Sequence, residues 1–449
     1  MPETIKINKG FDIKIKGEAQ KSIREVRSKL YAIKPIDFTG IFPKLLVKEG
    51  DAVQAGTQLF YDKYRENIRF TSPVSGRVRA IRRGAKRVLL EIVIEPDGRM
   101  DRKDFGTGDP AKLTREQVVE KMLSSGMWPV LRQRPYGIIA DPDEDPKSIF
   151  ISAFDTHPLA PDYNFIMEGR QADFQAGLDV LKKLTSGRIY LNIDDDAHNS
   201  RTFLEAEGVV LNRFHGPHPA GNVGVQINRL DPLNRGEVVW YLRPQEVAQA
   251  GRLFRTGYLD GTKIIALTGS EVKKPQYIRT VAGASIGEMV DGHVNQGKLR
   301  YISGNVLTGR KIEKEGFLSF YDSQVSVIPE GDYYELFGWA SPGLNKFSFS
   351  GAFLSRLWPG RKFRMDTNLH GGVRAYVMSG KFERVFPFDI YPMQLIKAIL
   401  VEDIDQMENL GIYEVEEEDF ALCEFIDTSK TDIQQTIRKG LDIMRKEMM

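Results

Sequence analysis

Apolar positions in the first hundred residues come in short alternating runs broken at glycine, which predicts strands rather than helices. Lys48 to Phe60 and Thr71 to Val78 are the clearest case, with Gly50 and Gly56 placed to supply the positive φ of tight turns. The run Val88 to Ile94 is the most apolar, but Glu91 breaks it, and it reads as a strand. From about residue 110 the period changes. A helix is predicted from Thr114, through a Thr-x-x-Gln capping box, to a C-cap at Gly126. Ile149–Phe154 reads as a buried strand, and Phe174, Leu178, Leu181 and Leu184 share one face of a helix beginning at Gln171. Strands follow at 188–193, 209–214 and 238–242, and Pro244 opens a helix that ends at Gly257. Strand–helix alternation implies a mostly parallel, Rossmann-like sheet.

Short strands return at 263–268, 276–281 and 299–304. An irregular aromatic stretch comes next, then helices predicted at 393–410 and 432–445. The fold class is therefore α/β multidomain. Four parts are expected: a β domain over 1–105, a Rossmann-like domain over 106–257, a small β module over 258–330, and an aromatic segment with C-terminal helices over 331–449.

Composition removes several functions. With 63 basic and 61 acidic side chains, the whole molecule offers no field for nucleic acid. Cys423 is the single cysteine, so this chain alone can build no internal disulfide, iron–sulfur cluster or cysteine zinc site. No apolar run reaches the roughly 18 residues of a membrane span, and the N-terminal residues lack the apolar core of a signal peptide. A soluble, cytoplasmic chain is expected.

The balanced total conceals two local extremes. Arg77, Arg79, Arg82, Arg83, Lys86 and Arg87 form a basic stretch without an acid, a candidate docking patch. Residues 402–427 hold eleven acids and no Lys or Arg. The two charged stretches either orient the protein on an assembly or are simply solvated faces.

Candidate chemistry is sparse. The chain contains no Gly-x-Gly-x-x-Gly and no Walker loop, so a nucleotide site is unsupported. Ligands of open α/β sheets sit beyond the carboxyl ends of the strands. There the sequence places Asp155 and His157, then Asp194 with Asp195, then His215 and His218. Such a rim suits a polar ligand or a proton relay to a quinone oxygen, although Asp, His and Pro also close turns. No spacing supports a metal. Nine aromatics fall between Tyr333 and Phe363. Trp339, Phe347, Phe349, Phe353 and Trp358, with Arg356 and Arg361, form a candidate contact for a partner or membrane interface, or else a core wrapping onto the neighbouring module.

The turns Gly50-Asp51-x-Val53-x-x-Gly56 and Ser72-Pro73-x-x-Gly76-x-Val78 resemble those of the biotinyl/lipoyl barrel sandwich, whose carriers bear a modified lysine at a hairpin tip. Lys63 stands in that region, in a bulkier setting than carriers show. Ser350-Gly351-Ala352-Phe353 falls one residue short of the Ser-Gly-Ala-Thr motif that holds covalent flavin, so covalent FMN is not expected. The module order, with a β-grasp (SLBB-like) third part, is similar to that of the NADH-binding flavin subunit of complex I and its Rnf relatives. Along its whole length the chain resembles the A subunits of the Na+-translocating NADH:quinone oxidoreductases (Na+-NQR). The segments Lys6–Asp12, Thr71–Gly76, Phe154–Asp162, His218–Asn222 and Ser303–Gly309 carry that likeness. It implies a peripheral subunit on the cytoplasmic side of the bacterial inner membrane. The B to F subunits would be its neighbours, and quinone its possible substrate. It also implies no redox cofactor of its own and only indirect membrane association. Two alternatives stay open: a purely structural subunit, and an NADH-oxidising flavoprotein of the complex I type.

Overall fold

The computed structural model describes residues 4–338 and 341–448. Its largest sheet has seven strands, in the order Thr4–Lys6, Val210–His215, Arg188–Asp194, Ser148–Ser152, Val239–Leu242, Arg132–Arg134 and Ile138–Ile139. The first five are parallel and the last two close one edge antiparallel. The predicted caps form here. Thr114 Oγ1 accepts from Gln117 N in a complete capping box before the helix Arg115–Ser125, and Gly126 ends it at φ 75°. Helix Pro244–Thr256 closes on Gly257 in the same left-handed way, at φ 79°. It packs on the helix Gln171–Leu181 where both present glycine: a methyl group at Gly177 would collide with the Val247 carbonyl, and one at Gly251 with that of Asp173.

Residues 31–96 fold as two facing sheets, one of four strands and one of three. Their inner residues, including Phe60, Phe70 and Val78, share one core with Trp128, Ile149 and Phe174 of the α/β part. A six-stranded mixed sheet holds Thr262–Thr268, Gln276–Val281, Leu299–Ser303, Arg310–Ile312 and Gln324–Pro329. Its edge strand, Gln20–Glu25, comes from the N-terminal segment and runs parallel to Gln276–Val281. The chain start is thus woven into two sheets outside the barrel sandwich.

The helix expected over 393–410 is two helices, Pro392–Leu400 and Ile404–Asn409. Glu402 takes a left-handed φ of 57°, and the Asp403 carboxylate accepts from Gln406 N, so a new cap starts the second helix. These helices and Ile433–Met448 enclose a second core that reaches Phe154, Phe214 and Val225 of the α/β part. No helix among the described residues is long and apolar enough to cross a membrane.

Candidate functional site

Asp155, Thr156 and His157 leave the carboxyl end of Ser148–Ser152, and His218 lies in the turn after Val210–His215, so one rim of the sheet brings them together. The Asp155 carboxylate accepts from His157 Nδ1 at 2.7 Å and from its backbone N at 2.9 Å. The His157 and His218 rings lie 4.5 Å apart, centroid to centroid. Thr156 Oγ1 accepts from Gly221 N and stands 3.1 Å from His218 Nδ1. The N-terminal segment crosses this turn: Asp12 Oδ1 accepts from His218 N, and Phe11 N donates to His218 O.

Charge in this cluster is uneven. Burial alone would raise the Asp155 carboxyl, but the His157 charge, its hydrogen bond and nearby Arg243 outweigh that and hold it well below the usual carboxylate range. For His157, burial opposes the proton, yet the paired carboxylate wins and raises its pKa. His218 has no such partner, so burial and the charge on His157 push it well below 6.5. The Asp155 carboxylate thus favours a proton on His157, while burial disfavours one on His218. Such a pair can hold a single proton at a fixed place. Among the described residues, the Nε2 atoms of both rings and Asn222 Oδ1 are buried without a hydrogen-bond partner.

Asp194 and His215 do not join this group. Asp194 Oδ1 accepts from Asp196 N, while exposed His215 pairs through Nδ1 with Asp196 at 2.6 Å. Asp195 is held by Thr4 and Arg213. They form a separate, solvent-facing set at the edge where the N-terminal strand adds on.

Residues from the far end of the chain complete the rim. Asn222 Nδ2 donates to the Glu418 carbonyl, and Arg134 with Asp419 lies against Gly224 in the first turn of the helix Val223–Leu230. Arg134 is fully buried and faces Asp419 at 2.8 Å, Glu416 at 3.2 Å and Glu418 at 3.5 Å. Glu416 also accepts from the Tyr241 hydroxyl at 2.7 Å. Burial raises Glu416 and Asp419 against the opposing pull of Arg134. The acidic stretch is therefore not a solvated face throughout: Glu416, Asp419 and Asp427 are buried. A run of acids with no basic neighbour in sequence was the signal that a distant cation had to meet it.

The aromatic stretch divides. Phe347 packs on Phe11, Phe363 and Phe425, and Phe349 lies between Phe11 and the Arg384 guanidinium. Phe353 is half-buried beneath Lys346. Trp358 and Arg356 are exposed, as are Tyr334, Leu336 and Leu357, while Arg361 is tied to Leu344 O and Asn345. Trp339 lies outside the described residues. In the barrel sandwich, Lys63 sits in a two-residue turn, its ammonium 5.2 Å from the centre of the Tyr64 ring. No group of three or more His, Cys, Asp or Glu among the described residues is placed to hold a metal ion.

Comparison with known proteins gives this arrangement a family. Residues 5–97 match the NqrA N-terminal barrel-sandwich hybrid domain, 113–259 the NqrA second alpha/beta domain, and 264–314 the NQRA C-terminal domain. The chain is 39% identical over 448 residues to the NqrA protein of Hahella chejuensis, the A subunit of its Na(+)-translocating NADH-quinone reductase, covering 99% of this chain and 100% of that one. The chain belongs to the NqrA family. The Rhodopirellula baltica relative is 39% identical with 98% of both chains covered, and the Pasteurella multocida relative 38% identical with 99% and 100% covered. Family membership agrees with the three-part β, α/β and β architecture followed by helices. A chain of this family is one component of an oxidoreductase complex.

Proposed function

We propose that the protein is the peripheral subunit, on the cytoplasmic side of the membrane, of a Na+-translocating NADH:quinone reductase. It supports quinone reduction by its partner subunits and carries no flavin or iron–sulfur cluster of its own. The closed rim supports this reading most. In an open α/β sheet the start of a helix at the strand ends is the place for a phosphate. Here Arg134, Asp419 and the Glu418 carbonyl stand against the first residues of Val223–Leu230. A dinucleotide would have to displace a buried ion-pair cluster. Leu357 and Trp358, adjacent and exposed, and the exposed Tyr334 and Leu336 are apolar side chains available to another component of the complex.

Titrating the purified chain with a short-chain quinone, followed by tryptophan fluorescence, separates a quinone-contacting subunit from a purely structural one. A saturable response is expected. A flat titration leaves the subunit with assembly alone.

A further inference from the structure

The strand pair Gly76–Arg83 and Leu89–Pro96 projects beyond its sheet. Within the hairpin, Tyr31–Ile33 pairs with Ile92–Ile94 and Ala52–Val53 with Gly76–Arg77, so among the described residues Arg82–Arg83 and Leu89–Glu91 make strand pairs only with each other. At its end, Arg83, Lys86, Arg87 and Val88 are exposed. Farther back, Arg79 and Arg82 are neutralised by Glu95 and Glu91, both at 2.9 Å. Among the described residues no acid pairs with Arg83, Lys86 or Arg87; Arg83 donates only to the Arg87 carbonyl.

The backbone of this tip is costly. Lys86 and Arg87 take left-handed φ values of 53° and 61° in succession, a conformation that favours glycine or asparagine. Gly84 N to Val88 O, at 2.8 Å, closes the turn and holds it there. Stability alone gives no reason for two long cationic side chains at strained positions on a convex, solvated end. Strain of this kind collects where function requires it.

We propose that this tip rests on the anionic phosphates of a lipid bilayer. The proposal builds on the membrane-side placement given under Proposed function. A protein partner would need a broad, partly apolar face, and the tip offers Val88 alone. Three unpaired cations on a small convex end suit a continuous anionic surface, to which each adds attraction within a Debye length.

The test uses the full chain with vesicles of phosphatidylglycerol and phosphatidylcholine, against phosphatidylcholine alone, in a flotation assay. The chain is expected to float with the anionic vesicles only and to be released by salt. Replacing the three cations (R83Q, K86Q and R87Q together) should lower that binding by about tenfold or more. A second variant, K86G with R87G, relieves the left-handed strain, so it should raise the thermal midpoint while weakening vesicle binding. Equal flotation of wild type and variants, or no flotation of wild type, overturns the proposal. So does a triple variant that keeps vesicle binding but drops out of the complex, which assigns the tip to an acidic protein. Co-purification with the membrane subunits is scored separately. A chain that co-purifies yet ignores anionic vesicles sinks only the lipid contact, whereas one that binds vesicles but never co-purifies sinks the functional reading.

Discussion

Arg134 Nη1 meets Asp419 Oδ2 at 2.8 Å inside the protein, across 285 residues of sequence. This contact fastens the C-terminal helical part to the α/β sheet, beside the first turn of the helix Val223–Leu230. Breaking a buried pair from one side leaves an uncompensated charge, which costs about 3–5 kcal/mol. Asp419→Ala should fall at the lower end, near 3 kcal/mol, because Glu416 and Glu418 still face the guanidinium. Arg134→Met strands three carboxylates and should cost more. Urea unfolding of both variants checks the order.

The two histidines should respond to pH with opposite signs. His218 has its pKa lowered in the fold, so below about 6.5 the unfolded chain takes up the proton first. Its contribution is complete above that pH and declines as pH falls, by up to about 1.4 kcal/mol per unit. His157 has its pKa raised, so its contribution is complete below 6.5 and is lost as pH rises through the folded value. Relative to wild type, His218→Gln should therefore be favoured by acid. His157→Gln should be disfavoured by it. Thermal midpoints measured from about pH 5 to pH 8 distinguish the two.

Gly251 and Gly177 let two helices of the α/β part approach until backbone meets backbone. Gly251→Ala gains helix propensity but drives its methyl group into the Asp173 carbonyl. The net result should be a loss of about 1–3 kcal/mol, the usual penalty of overpacking. A gain in urea midpoint would refute the close approach.

Trp358 is 53% exposed on the isolated chain, and Leu357 69%. Changing both to serine should shift the chain's own stability by less than about 0.5 kcal/mol, as surface substitutions do. Recovery of the membrane subunits with the tagged chain should nevertheless fall. Unchanged recovery would remove this face from the docking account.

Local chemistry made much of this fold legible. Thr114 with Gln117, Gly126, Pro244 and Gly257 marked helix ends that formed where their side-chain and backbone chemistry required. Long-range pairing left no such mark. Nothing near Thr4–Lys6 or Gln20–Glu25 shows that these residues complete two distant sheets, because strand partners are chosen by tertiary packing. The same limit governed the rim. Asp155, His157 and His218 follow from strand order alone, whereas the pairing of Arg134 with Asp419 depends on how the C-terminal part folds back. Asp194 and His215 sit at equivalent strand ends but turn to Asp196 and solvent, a choice made by the neighbouring loop.

The central claim is that a chain without its own redox cofactor supports quinone reduction from the periphery of a membrane complex. Its most direct test is NADH-driven quinone reduction by membranes lacking this subunit, before and after adding back the purified chain, with the chain's visible absorption recorded first. The prediction is that a colourless chain restores the activity. Restoration only by a chain showing a flavin absorption band, or no restoration by a folded chain that rebinds, would contradict it.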